Sequence, residues 1–204
     1  GHRAALCIDN PPEKEPPLNQ KRLRILYLAA EVVPFAKTGG LADVAGSLPK
    51  AIHSLGHDIR VAMPRYGLVN IEKFGLKKVG QPFAVPLNDA SDTAELYEGR
   101  IGDSVPVYFI ENQRLYGRDA IYMYPDDAER FLFYSRAALE MTRQLGWQPD
   151  IIHCNDWHTA FIPNWLKTVY KDDPFFSQTA TVYTIHNLAY QGIFGYRVLE
   201  IAGV

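Results

Sequence analysis

The feature that most constrains the fold of this chain is a nearly continuous apolar run at residues 23–30, LRILYLAA. A strand with one face in water alternates apolar and polar side chains, whereas a parallel strand covered by helices on both faces is apolar throughout. The run therefore predicts a buried strand of a parallel sheet.

The segment after this run has the spacing of a helix. A loop with Pro34 and Gly39-Gly40 comes first, and apolar residues then recur at intervals of three and four. These residues are Leu41, Val44, Ala45, Leu48, Ile52 and Leu55. Gly56 ends the predicted helix, and residues 58–63 form a second predicted strand.

The rest of the chain continues this alternation. Strands are predicted at residues 83–87, 94–100, 105–110, 150–154 and 180–186, and helices at 127–145 and 157–170, the latter with a kink at Pro163. The alternation favours an α/β fold, a Rossmann-like, open, mostly parallel sheet with helices on both faces. Ligands bind to such sheets beyond the carboxyl ends of the strands.

Residues 1–21 differ from the rest in composition. Polar and charged residues surround four prolines, and such a segment cannot bury enough apolar surface to offset its entropy. The prolines are Pro11, Pro12, Pro16 and Pro17. We expect a leader or linker here, with Gly1-His2 as a possible tag remnant, and a single domain at residues 22–204.

Charge and cysteine content restrict the function classes. The net charge of −2 indicates neither a nucleic-acid nor a membrane partner. No apolar run approaches the roughly 18 residues of a membrane span. Cys7 and Cys154 make no disulfide framework, which favours a reducing compartment.

The segment Lys37-Thr38-Gly39-Gly40 lies between a predicted strand and a predicted helix. Glycines let backbone N–H groups approach an anion, and the helix dipole favours negative charge there. With Lys37 the segment suits a pyrophosphate. A glycine turn before a helix, with a solvated lysine, fits the local pattern equally well, since it matches neither standard phosphate-loop motif.

A second polar segment, residues 153–158 (HCNDWH), follows a later strand. Asp156 is suited to hydrogen-bond a sugar, and Trp157 to stack on it. A metal site is the rival interpretation, but the spacing fits no standard zinc pattern. The simplest alternative is that Asp156 caps the following helix.

The third segment is residues 185–192, in which His186 lies at the end of a predicted buried strand. A histidine there can donate to a hydroxyl or stabilise developing charge, although a lone histidine is more often structural. The sequence contains no local nucleophile elbow, and no pair of carboxylates can be assigned as the acid and base of a hydrolase.

Four stretches in combination resemble glycogen and starch synthases, the ADP-glucose-type family of retaining glycosyltransferases. They are ILYLAAE at 25–31, KTGGLADV at 37–44, HCNDWH at 153–158 and TIHNLAYQG at 184–192. The resemblance runs from about Leu23 to the end. It implies the GT-B fold, in which two Rossmann-like domains face a cleft, and this chain resembles the N-terminal one.

The resemblance also implies residue roles. Lys37 would contact the phosphates of ADP-glucose, with Gly39 and Gly40 beside it. His186 and Asp156 would be the catalytic residues beside the transferring glucose. The glucan acceptor would be bound by Asp43, Trp157, His158, Asn187 and Tyr124. The family pattern implies no metal and no cofactor, because ADP-glucose is a substrate.

The implied activity is transfer of glucose from ADP-glucose, or UDP-glucose, to the non-reducing end of an α-1,4-glucan with retention. The nucleotide-binding domain of such enzymes is absent from these 204 residues, so we expect the chain to be inactive alone. The expected compartment is a bacterial cytoplasm, a plastid stroma or an amyloplast. Two alternatives remain: a glucan- or oligosaccharide-binding module without activity, and another GT-B sugar-nucleotide transferase, such as a sucrose-synthase-like one.

Overall fold

The computed structural model describes residues 21–87 and 90–204. The predicted leader, apart from Lys21, and Cys7 therefore lie outside the described residues. The strands are β1 (Arg24–Leu28), β2 (Asp58–Pro64), β3 (Lys77–Leu87), β4 (Ala90–Ile101), β5 (Val105–Glu111), β6 (Ile151–Asn155) and β7 (Ala180–Thr184). The helices are α1 (Gly40–Ser54), α2 (Gln113–Tyr116), α3 (Asp127–Gln144), α4 (Phe161–Lys167) and α5 (Arg197–Ala202), with a 3-10 turn at Trp157–Thr159.

All seven strands belong to one sheet, in the order β3-β4-β5-β2-β1-β6-β7. The strands β5, β2, β1, β6 and β7 run parallel, and β3 and β4 continue the sheet as an antiparallel hairpin. The predicted α/β fold with a mostly parallel sheet is confirmed. Both hairpin strands are longer than the predicted segments at 83–87 and 94–100.

The order of the strands determines where a crevice can open. The connection β1-α1-β2 steps toward one sheet edge, while β5-α3-β6 crosses toward the other. Because such crossovers are right-handed, α1 and α3 lie on opposite faces of the sheet. The direction reverses between β1 and β6, where Leu28 pairs with Cys154. A ligand crevice is expected at this switch point.

The apolar run that predicted a buried strand forms the centre of the core. Leu26, Tyr27 and Leu28 in β1 are fully buried. Helix α3 packs against the sheet, and its Tyr134 hydroxyl donates to the carbonyl of Ala62 in β2 at 2.7 Å. Burying a large side chain contributes roughly 1.5–3 kcal/mol, so this layer stabilises the central strands of the sheet.

The helix predicted at residues 157–170 is wrong in extent. The chain makes a 3-10 turn at Trp157–Thr159, and α4 covers only Phe161–Lys167. The predicted kink at Pro163 is also wrong, because Pro163 is the third residue of α4. An N–H in the first helical turn has no partner within the helix, so proline is tolerated there. The short helices α2 and α5 were not predicted.

Strand β7 lies at the edge of the sheet and is open on both faces, so the prediction that this strand is buried is wrong. Its neighbouring residues Val182 and Tyr183 point to opposite faces and are 44% and 42% exposed. Every helix in the described part of the chain is too short or too polar to cross a membrane.

Candidate functional site

A cavity of about 690 Å³ opens at the predicted switch point. Its walls come from the loop that precedes α1, the turn after β6, the loop after β7, and a segment before α3. The predicted site residues among its walls are Gly39, Gly40, Asp156, Trp157, His158, His186 and Asn187. Three segments that are distant in the chain thus meet around one cavity, as the sequence predicted.

Lys37 and Asp43 are not among the residues that line this cavity. The Lys37 ammonium donates to both carboxylate oxygens of Asp43 at 2.7 Å, and the two side chains are 52% and 57% exposed. An exposed ion pair of this kind contributes about 0–1 kcal/mol. Lys37 can therefore leave Asp43 at little cost, and the predicted phosphate contact requires that movement.

Tyr124 is held away from the cavity by two arginines. Its ring lies 4.8 Å from the guanidinium carbons of both Arg118 and Arg130, and its hydroxyl accepts from the N–H of Ala120 at 3.0 Å. The tyrosine that lines the cavity is Tyr122, two residues earlier. The role of Tyr124 at the acceptor stays a prediction, and the structure gives it a packing role.

Glu31, for which the sequence pattern predicted no site role, lines the cavity and is 4% exposed. Its carboxylate accepts from the N–H and the hydroxyl of Thr38, from the N–H of Gly39 at 3.1 Å and from the Tyr122 hydroxyl at 3.0 Å. A carboxylate directly after a buried strand was the available signal. No sequence pattern indicated which groups it would contact.

The contacts of Glu31 change the expected anion site. The N–H groups of Thr38 and Gly39 are already satisfied by the carboxylate. Gly39 is the N-cap of α1 and has no side chain that could cap the helix. No described residue accepts from the N–H groups of Gly40 and Leu41. The first turn of α1 therefore provides the unoccupied donors that a phosphate needs.

Asp156 links the ends of β6 and β7. Its φ of 55° is in the left-handed region, which is strained for a residue other than glycine. Its N–H donates to the carbonyl of Thr184 at 2.9 Å, and its Oδ1 accepts from the N–H of His186 at 2.7 Å. The side chain makes no cap on the following turn, so the capping interpretation is wrong.

The ring of His186 is oriented by Asn155. The Asn155 amide group donates to the carbonyl of Leu28 at 2.8 Å, and its Oδ1 accepts from the Tyr27 hydroxyl at 3.2 Å. His186 Nε2 lies 2.8 Å from the same Oδ1, so Nε2 must be the donor. This network leaves Nδ1 of His186 without a partner among the described residues.

His158 forms part of the wall as a neutral aromatic ring. Burial lowers its pKa to about 3. The ring stacks on Tyr122 at a centroid distance of 5.1 Å, and its Nδ1 has no partner in the described part of the chain. Its predicted contact with an acceptor would use a neutral imidazole.

Trp157 is held in place by packing on one face. A Cβ atom placed on Gly192, whose φ is 62°, would clash with three atoms of the indole ring. The edge of Phe131 meets the indole at a centroid distance of 5.0 Å. A second, smaller cavity of about 250 Å³ adjoins this cluster, and Trp157 and His158 line both cavities.

The rival interpretation of residues 153–158 as a metal site finds no support in the local geometry. Cys154 is fully buried, and burial raises the pKa of its thiol to about 12. His153 Nε2 bonds to the Thr184 hydroxyl at 2.8 Å. Within residues 21–87 and 90–204, no group of three or more metal-ligating side chains comes together.

Comparison with known proteins identifies the family of this site. A family model described as the starch synthase catalytic domain matches residues 24–204. Proteins named glycogen synthase from Desulforudis audaxviator and Thermotoga maritima are 51% and 44% identical to the chain, over 89% of it in each case. The chain spans only 38% of the length of these two relatives.

A solved structure agrees with this assignment. The catalytic domain of starch synthase IV from Arabidopsis thaliana, bound to ADP and acarbose, superposes with a TM-score of 0.84 and 32% identity. The match covers 90% of this chain and 38% of that one. The match to the family model over nearly all described residues, together with this fold, shows that the chain belongs to the starch synthase catalytic domain family.

Proposed function

We propose that this chain forms one wall of a glycosyltransferase active site, which transfers glucose from ADP-glucose to the non-reducing end of an α-1,4-glucan with retention. The observation that carries the proposal is the meeting of Gly40, Asp156 and His186 around one cavity at the switch point of the sheet. Family membership supports the reaction class, and the ADP and acarbose bound to the structural relative support the substrate classes.

The donor diphosphate is proposed to lie at the first turn of α1. As the bond between glucose C1 and the phosphate oxygen breaks, negative charge grows on the departing ADP. The N–H groups of Gly40 and Leu41 and the ammonium of Lys37 are suited to stabilise that charge without a metal or another cofactor. This role requires Lys37 to exchange Asp43 for the diphosphate.

The transferring glucose is proposed to lie between Asp156 and His186. Oδ2 of Asp156 has no hydrogen-bond partner among the described residues, and neither has Nδ1 of His186. Both atoms are suited to accept from sugar hydroxyls. Trp157, His158 and Asn187 would then face the acceptor glucan, together with Tyr122 in the position proposed from sequence for Tyr124.

The proposed enzyme requires a second domain. The chain spans about 38% of its relatives' length, and we propose that a nucleotide-binding domain supplies the remaining contacts to ADP. We further propose a bacterial cytoplasm or a plastid as the compartment, since the relatives come from bacteria and a plant. Neither a nucleic-acid partner nor a membrane partner is part of this proposal.

The test is incorporation of labelled glucose from ADP-glucose into glycogen. A longer protein that contains these residues and the proposed second domain should incorporate glucose, and its Asp156→Asn variant should lose at least a hundredfold in kcat. The 204-residue chain should incorporate none. Efficient incorporation by the 204-residue chain, or full activity of Asp156→Asn, would contradict the proposal.

A glucan-binding module without activity is the second candidate, favoured by the aromatic walls that Tyr122, Trp157 and Tyr190 contribute to the cavity. Titration calorimetry with maltoheptaose distinguishes the two functions. Binding by the 204-residue chain, without glucose transfer by any longer form, would favour the module.

A further inference from the structure

We propose that Glu31 is a positioning residue of this site: its carboxylate holds Thr38, Gly39 and Tyr122 in place and excludes the donor diphosphate from the N–H groups of Thr38 and Gly39. The proposal rests on the proposed function, because it assumes an anionic donor. Its test includes measurements that do not depend on glucose transfer.

The carboxylate of Glu31 is buried and has no cation beside it in the described part of the chain. Glu31 is 4% exposed, and none of the ion pairs among the described residues includes it. A buried carboxylate without a cation requires hydrogen-bond donors for its charge. Thr38, Gly39 and Tyr122 provide them, and the N-terminus of α1 adds a favourable dipole.

Glu31 occupies two N–H groups of the loop before α1. The N–H groups of Thr38 and Gly39 both donate to the Glu31 carboxylate, so neither is free to donate to a phosphate. A second anion at the same two groups would also face the negative charge of Glu31 at close range. Of the four N–H groups from Thr38 to Leu41, those of Gly40 and Leu41 then remain for a phosphate, which places the donor at the first turn of α1.

Glu31 also connects the loop before α1 to the opposite wall of the cavity. The Tyr122 hydroxyl donates to Oε1 of Glu31 at 3.0 Å, and the Tyr122 ring stacks on His158. Burial raises the pKa of Tyr122, and so does the neighbouring Glu31, so the phenol stays a donor. One carboxylate therefore sets the distance between the donor loop and the wall proposed for the acceptor.

The proposal is tested first in the 204-residue chain by amide NMR. In the wild type, the N–H groups of Thr38 and Gly39 should be protected from exchange, and inorganic pyrophosphate should shift the signals of Gly40 and Leu41 but not those of Thr38 and Gly39. In Glu31→Ala, protection at Thr38 and Gly39 should fall at least tenfold, and pyrophosphate should shift all four signals. Formate should restore the wild-type pattern by replacing the carboxylate.

Kinetics in the longer protein provide the second test. Glu31→Ala should raise KM for ADP-glucose at least tenfold, and formate should recover part of that loss. Glu31→Gln keeps one acceptor oxygen, so its KM for ADP-glucose should rise less than that of Glu31→Ala. This variant keeps the test valid if the alanine variant misfolds. Glu72→Ala, which removes an exposed carboxylate, is the matched control. Its KM should equal that of the wild type, and formate should not alter it.

Pyrophosphate shifts at Thr38 and Gly39 in the wild type would overturn the proposal, as would a folded Glu31→Ala that formate leaves unchanged. If the wild-type longer protein fails to transfer glucose while the amide pattern holds, the proposed function fails and the positioning of the loop by Glu31 stands. The two failures are therefore distinguishable.

Discussion

The backbone N–H of His186 donates to Oδ1 of Asp156 at 2.7 Å, across 30 positions of the chain. This bond joins the end of β7 to the end of β6 and brings both predicted catalytic residues to one wall of the cavity. Asp156 has a φ of 55° in this arrangement, so local strain accompanies the contact.

Two substitutions of Asp156 should show how much its side-chain acceptor contributes to the stability of the chain. Asp156→Asn keeps an acceptor and leaves the backbone strain at φ 55° and ψ −176° unchanged, so stability should change by less than about 1 kcal/mol. Asp156→Ala loses the acceptor and keeps the strain, and should cost about 1–3 kcal/mol. Urea denaturation of the 204-residue chain measures both, and equal stability of the two variants would contradict the expectation.

Replacement of Lys37 should affect activity far more than stability. Lys37→Ala removes an exposed ion pair, so the free energy of unfolding should change by less than about 1 kcal/mol. In the longer protein, kcat/KM for ADP-glucose should fall at least tenfold, or about 1.4 kcal/mol. Asp43→Ala is the control for the ion pair itself, and an unchanged kcat/KM in Lys37→Ala would remove Lys37 from the site.

Gly192→Ala should destabilise the chain and disturb the cavity. The new Cβ would clash with the indole of Trp157, and φ at this position is 62°. Both effects together should cost about 1–3 kcal/mol, since strain and overpacking are each of this order. Gly195→Ala, where a Cβ meets nothing within 4 Å, should be neutral in the same thermal unfolding experiment.

The stability of the chain should fall in mildly acidic solution because of His158. Its pKa is lowered from 6.5 to about 3 by burial, so the unfolded chain takes up a proton at a higher pH than the folded chain. The contribution of the neutral ring is complete above pH 6.5 and is lost as pH falls toward 3, by at most about 1.4 kcal/mol per pH unit.

Urea denaturation at pH 7, 6 and 5 measures this loss. The variant His158→Phe keeps an aromatic ring of similar shape but cannot take up a proton. The difference in unfolding free energy between the wild type and His158→Phe should become more unfavourable to the wild type as pH falls. A difference that is independent of pH would contradict a neutral, buried His158.

Much of the fold could be predicted because its signals are local. An apolar run such as residues 23–30 and the three- and four-residue spacing after Gly40 each reflect burial on known faces, so strand and helix follow from neighbouring residues. The helix expected at 157–170 failed because its spacing did not reveal the turn at Trp157–Thr159. The three polar loops were also found, since each directly follows a predicted strand.

The sequence alone thus determined the mostly parallel sheet, the order of its elements and the loops that reach one edge. Only the tertiary structure decided which groups meet there: Glu31 and Tyr122 are separated by 91 positions and share a hydrogen bond, while Lys37 turns to Asp43. The physical reason is that burial patterns depend on residues near in sequence. The satisfaction of a buried carboxylate depends on donors brought together by the sheet and its crossovers.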